Sequence, residues 1–154
     1  MIRLIAALAL LLAASPALAD EMRPVAIQFE QIDETNWRLG WRQPIASAAD
    51  DRGAAPQLPA ACALAGPVER DMAPLAVVGR APVVCTGSVA GQRLGWPAFP
   101  GQGEAILRVA PRERPVQVHR LTPEEPYATI TARTGAAQVW RSYFAIGVDH
   151  ILAG

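Results

Sequence analysis

The chain has 154 residues, with 14 basic and 14 acidic side chains and no formal net charge. Every basic residue is Arg and no block of like charge occurs, which excludes the electrostatic footprint of a nucleic-acid-binding protein. The length suits one ordinary domain, large enough to bury a core without several disulfides.

The N-terminus has the parts of a secretory signal peptide in order. Arg3 supplies the positive start, and Leu4 to Ala14 is an apolar run. That run is shorter than the roughly 20 apolar residues a membrane span needs, which disfavours an uncleaved anchor. Ala17-Leu18-Ala19 then offers the small residues of a cleavage site, and the acidic pair Asp20-Glu21 opens the mature chain. Residues 1–19 are read as the signal peptide, so the protein is expected in the periplasm or another extracytoplasmic space.

From residue 20 to about Pro126, prolines and glycines recur every few residues and disfavour long helices. Short alternating stretches lie between them. Val25, Ile27 and Phe29 share one strand face, with Gln28 and Glu30 on the other. Asp33 to Asn36 reads as a polar turn, and Trp37, Leu39 and Trp41 alternate with Arg38 and Arg42 as the second arm of a hairpin. Residues 44–60 read as a long loop. Further strands are expected at Val68–Arg70, Ala81–Thr86, Arg93–Ala98, Glu104–Ala110, around Val116 and Val118, and at Tyr127–Ala132. Seven or eight short strands at this spacing predict an all-β fold, a β-sandwich over residues 20–133.

Cys62 and Cys85 are the two cysteines. In an oxidising compartment an even pair is most simply a structural disulfide. A metal or redox pair is the alternative, although there is no CxxC spacing.

After Arg133 the pattern changes. Thr134 can cap a helix, and apolar residues crowd Ala136 to Ala153. Val139, Tyr143, Ile146 and His150 fall on one helical stripe, with Trp140, Phe144, Gly147 and Ile151 beside it. Residues 134–154 are therefore expected to form an apolar helix, the start of a membrane segment, with Trp140 and Tyr143 as interfacial aromatics. The chain stops at Gly154 inside this element, as a truncated protein would.

Asp149-His150 is the most suggestive pair for chemistry. An ionisable pair in an apolar helix points to function, and His with a carboxylate suits a first-row divalent metal. The alternative is a helix end at the membrane surface, where His complements the dipole and Asp is solvated. No nucleophile has a visible helper. Ser47, Ser88 and Ser142 stand in no motif, His119 is expected on the exposed face of a strand, and Glu124-Glu125 reads as a solvated turn. The sequence offers no catalytic residues and no cofactor site, and no enzyme activity is expected.

The segment Trp140-Arg141-Ser142-Tyr143-Phe144-Ala145-Ile146-Gly147-Val148-Asp149-His150-Ile151-Leu152-Ala153-Gly154 resembles the entry to the membrane part of HupE/UreJ-like proteins. There an aromatic-rich stretch runs into Gly, an acidic residue and His, then Ile-Leu, a small residue and Gly. The layout before it is also similar, with a signal peptide, an Arg-Pro motif (here Arg23-Pro24) and a β-rich region with two cysteines. Asp149 stands where the family commonly has Glu, and the second Asp-His pair and later helices are missing. The resemblance implies the extracytoplasmic N-terminal domain of a membrane protein linked to nickel or cobalt transport, which could not transport by itself. Asp149 and His150 match its acidic-His motif, and its partners would be the membrane and a missing C-terminal multi-span region. The alternative is a self-contained exported binding or interaction module, whose terminal helix docks on its own sandwich or on a protein partner.

Overall fold

The computed structural model describes residues 23–99 and 103–132, together with Trp140, Phe144 and Val148. The expected signal peptide, Asp149, His150 and most of the expected helix over 134–154 lie outside the described residues. The fold is mostly β. Among the described residues, nine strands run in chain order: β1 Val25–Gln31, β2 Asn36–Pro44, β3 Cys62–Leu64, β4 Glu69–Ala73, β5 Ala76–Cys85, β6 Arg93–Gly95, β7 Ala105–Ala110, β8 Gln117–Leu121 and β9 Tyr127–Thr129. A 3-10 turn at Ala48–Asp50 interrupts the long loop after β2.

Seven strands form one mixed sheet in the order β3-β5-β2-β1-β7-β8. β3 and β4 lie end to end along the outer edge of β5, pairing with Val83–Cys85 and with Ala76–Arg80 respectively. Every pairing is antiparallel except β1 with β7, which run parallel from Val25↔Ala105 to Glu30↔Ala110. The chain can make that parallel contact because more than 70 residues separate the two strands. β6 and β9 form a second, two-stranded sheet.

The hairpin β1–β2 forms where alternation predicts it. Asp33 closes its turn, its Oδ1 accepting from the backbone N–H of Thr35 at 3.0 Å and of Asn36 at 2.8 Å. The Asn36 side-chain amide, which donates to both carboxylate oxygens, and these backbone bonds hold the Asp33 carboxyl below its ordinary pKa. Period two then sends Val25, Ile27, Phe29, Trp37, Leu39 and Trp41 to one face, all buried. Phe29 and Trp37 stack with centroids 4.4 Å apart.

Ala81, Val83, Ala105, Leu107 and Val109 extend this apolar face across the sheet. The small sheet and the loops roof it with Val89, Leu94, Trp96 and Ile130. The opposite face is polar and Arg-rich, with Arg38 3.7 Å from Glu30 and Arg80 3.5 Å from Asp71. Such exposed pairs contribute little, about 0–1 kcal/mol each.

The register also defines two ends of the large sheet. Val25, Pro44, Ala76, Ala105 and Leu121 gather at one, here the near end. Gln31, Cys85, Ala110 and Gln117 gather at the far end. Nine-residue β2 runs between them, a length of about 30 Å. After β9 the chain passes the far end: Arg114 Nη1 donates to the Ala132 carbonyl at 3.2 Å, and Gln117 bonds both the N–H and the C=O of Thr131.

Candidate functional site

Cys62 and Cys85 are bonded, and the disulfide joins two residues directly opposite in the β3–β5 ladder. Cys85 is buried in the core and Cys62 packs against it. Backbone bonds brace the link on both sides, Cys85 N–H donating to Thr35 O at 2.8 Å and Thr86 N–H to Ala61 O at 2.9 Å. The bond is a staple within the large sheet, between the edge strand β3 and its neighbour β5.

His119 differs from expectation. It pairs with Leu107 and so belongs to the inner face, where it is half-buried, rather than to the exposed face. Among the described residues its Nε2 has no hydrogen-bond partner, and burial lowers its pKa below the ordinary value of 6.5. Among the described residues, no group of three or more His, Cys, Asp or Glu side chains converges as a metal site. Asp149 and His150, the pair proposed for metal, lie outside the described residues.

A second feature was not foreseen. At the near end β2 runs out through Gln43, Pro44 and Ile45 into the loop that carries Asp50, Arg52 and Ala54. That loop is held onto the sheet by Arg70 of β4. Arg70 Nη1 donates to Ala54 O at 2.9 Å, its Nη2 meets Asp51 Oδ1 at 2.6 Å, and its guanidinium lies 5.9 Å from the Trp41 ring centroid. Between the loop and Ala98-Phe99 is a cavity of about 620 Å³. Its polar members are Gln43, Asp50 and Arg52, and the rest of its lining is apolar.

The sequence held a signal for this. Gln43 continues the series Trp37, Leu39, Trp41, so period two assigns it to the buried face. It is only 4% exposed, and its Oε1 has no hydrogen-bond partner among the described residues. A buried polar group of that kind needs a physical account. Asp50 is held in place by Ser47, whose N–H and Oγ both bond its Oδ2, at 2.7 and 3.0 Å. Those bonds, with the charge of Arg52, keep the Asp50 carboxyl below its ordinary pKa.

Known protein families offer no match to this chain. The curated proteins offer none either. The functional reading therefore rests on residues and geometry.

The C-terminal region adds one observation. Trp140, Phe144 and Val148 are helical, and the rings of Trp140 and Phe144 stack at 4.9 Å. Both rings are more than half exposed, at 64% and 56%. Among the described residues, no helix is long and apolar enough to cross a membrane.

Proposed function

We propose that this chain is the extracytoplasmic N-terminal domain of a HupE/UreJ-like membrane protein, linked to nickel or cobalt transport and not a transporter by itself. In this reading residues 20–133 are an unequal two-layer β-sandwich, the large sheet roofed by the small one. Residues 134–154 are an apolar helix that begins the membrane part.

The observation that carries the reading is the exposed stack of Trp140 on Phe144. Two large aromatic rings left to solvent at i, i+4 on a helix suit a membrane interface, where aromatic side chains concentrate. They fall inside the segment whose order of aromatic, Gly, acidic, His and Ile-Leu resembles the family. The disulfide is compatible with an oxidising, extracytoplasmic location. Ala132 leaves the domain at the far end, so a bilayer below it faces the β1–β2 turn and the loop of residues 111–116. The near end then points away from the membrane.

Reading the gene beyond codon 154 tests this directly. An open frame with a second Asp-His pair and further apolar spans supports it, and nickel or cobalt uptake by cells expressing the whole gene is then the functional measurement. A stop codon at position 155 overturns it and leaves the self-contained exported module.

A further inference from the structure

We propose that the cavity at the near end of the sheet binds a small zwitterion of the amino-acid or dipeptide class with an apolar side chain. The inference does not depend on the membrane reading, because it uses only residues of the β domain.

The size is right for such a molecule. About 620 Å³ lies inside the range of roughly 300–1,000 Å³ common to small-ligand sites. The chemistry of the lining is more selective than the size. Gln43 lies on the cavity lining while 96% of its surface is covered, and its Oε1 accepts no hydrogen bond from a described residue. Leaving such an acceptor unpaired is unfavourable, and an N–H donor supplied by a ligand removes that cost. As placed the Oε1 is itself covered, and the broad terminal amide torsion of Gln lets it turn into the cavity toward an occupant without moving β2.

The two charged groups of the lining have opposite signs and stand two positions apart. Asp50 has both Ser47 bonds on Oδ2, which leaves Oδ1 to accept from a ligand ammonium. Arg52 is exposed, and although its charge acts on Asp50 it makes no close ion pair with a described residue, so its guanidinium fork can take a carboxylate. Ile45, Ala54 and Phe99 form an apolar wall beside them. A donor for Gln43, a cation for Asp50, an anion for Arg52 and an apolar body together describe a zwitterion with a hydrocarbon side chain. A purely anionic ligand leaves Asp50 opposed, and a purely apolar one leaves Gln43 unpaired.

Isothermal titration of the full chain in mild detergent with L-leucine, with Leu-Leu and with N-acetyl-leucine amide tests the assignment. At least one of the two zwitterions should bind saturably. The capped compound, which lacks both charges, should bind at least about tenfold more weakly. Arg52→Ala should weaken the zwitterion by about tenfold or more. Because Arg52 is exposed and lies outside the buried core, the near-ultraviolet circular dichroism of this variant should match the parent. Gln43→Met, which keeps the shape and removes the acceptor, should weaken binding as well. Absence of heat with both zwitterions up to about 10 mM overturns the proposal. So does equal affinity for the capped compound, or affinity unchanged in Arg52→Ala.

Discussion

The indole of Trp41 lies directly over the bare Cα of Gly79, its partner in the β2–β5 ladder. A Cβ built on Gly79 would come within 2.1 Å of Trp41 Cζ2 and 2.6 Å of Cη2. Trp41 is 3% exposed and is covered further by Arg70, so the ring has nowhere to move. Gly79→Ala should therefore destabilise the fold by about 1–3 kcal/mol, the usual cost of overpacking a core. Trp41→Phe removes the six-membered part of the indole that meets position 79. In the Trp41→Phe background the alanine should cost much less, and the two changes should be strongly non-additive in urea melts. Simple additivity would refute the contact.

The disulfide gives a second prediction. Cys62 and Cys85 are 23 positions apart, and the chain-entropy relation for such a loop gives about 3 kcal/mol. Reduction should lower the melting temperature by roughly 10 °C for a domain of this size. Cys62→Ser with Cys85→Ser should reproduce the reduced curve and remove its response to reductant. A parent curve indifferent to reductant would show that the staple contributes nothing.

The pattern of strands was legible wherever one face is buried and the other wet. β1, β2 and β7 alternate cleanly, and their buried residues are those that period two selects. β5 is less regular, with Ala76 and Val77 both buried at the end where it meets Pro44 and Gln43 of β2. The parallel β1–β7 contact was not legible, since local alternation fixes a strand's faces and not its neighbour. β4 was only half legible. It runs to Ala73 with Met72 exposed, so the apolar side chain gives no burial signal there. His119 was misplaced because an isolated His between Val118 and Arg120 looks solvated until the register with Leu107 turns it inward. Gln43 was missed because a polar residue was not counted in an apolar series, although its position in that series was correct.

Arg70 supports a prediction about the loop that walls the cavity. Its three contacts link β4 to Asp51, to the Ala54 carbonyl and to the Trp41 ring, and both charged side chains are mostly covered, at 25% and 22% exposure. Lys cannot reproduce this, because it has a point charge in place of a planar fork. Arg70→Ala should cost about 1–2 kcal/mol and Arg70→Lys nearly as much, since either leaves a partner of the fork unpaired. Limited proteolysis should then cut residues 46–56 faster while the β1–β2 hairpin stays protected. An unchanged cleavage pattern would mean that the loop is held by its apolar contacts alone.

His119 sets the last prediction, and its sign follows from burial. The imidazole is half-buried, its Nε2 lacks a partner among the described residues, and desolvation lowers its pKa below 6.5. Above pH 7 the side chain is neutral in both folded and unfolded chains, and it contributes no pH dependence. As pH falls through about 6.5, the unfolded chain takes up a proton that the folded one refuses. Stability therefore drops until the folded-state pKa is passed, with a slope of at most about 1.4 kcal/mol per pH unit. Carboxylates such as Asp33 and Asp50 add their own loss at lower pH, so the His contribution must be isolated by difference. His119→Leu removes the titrating group and keeps an apolar inner face against Leu107. The stability difference between this variant and the parent should be constant above pH 7 and shift in the variant's favour between pH 6.5 and 5. Urea melts at pH 7.5, 6.5 and 5.5 measure it. Parallel curves over that range would show that His119 accepts its proton in the folded protein as readily as in water.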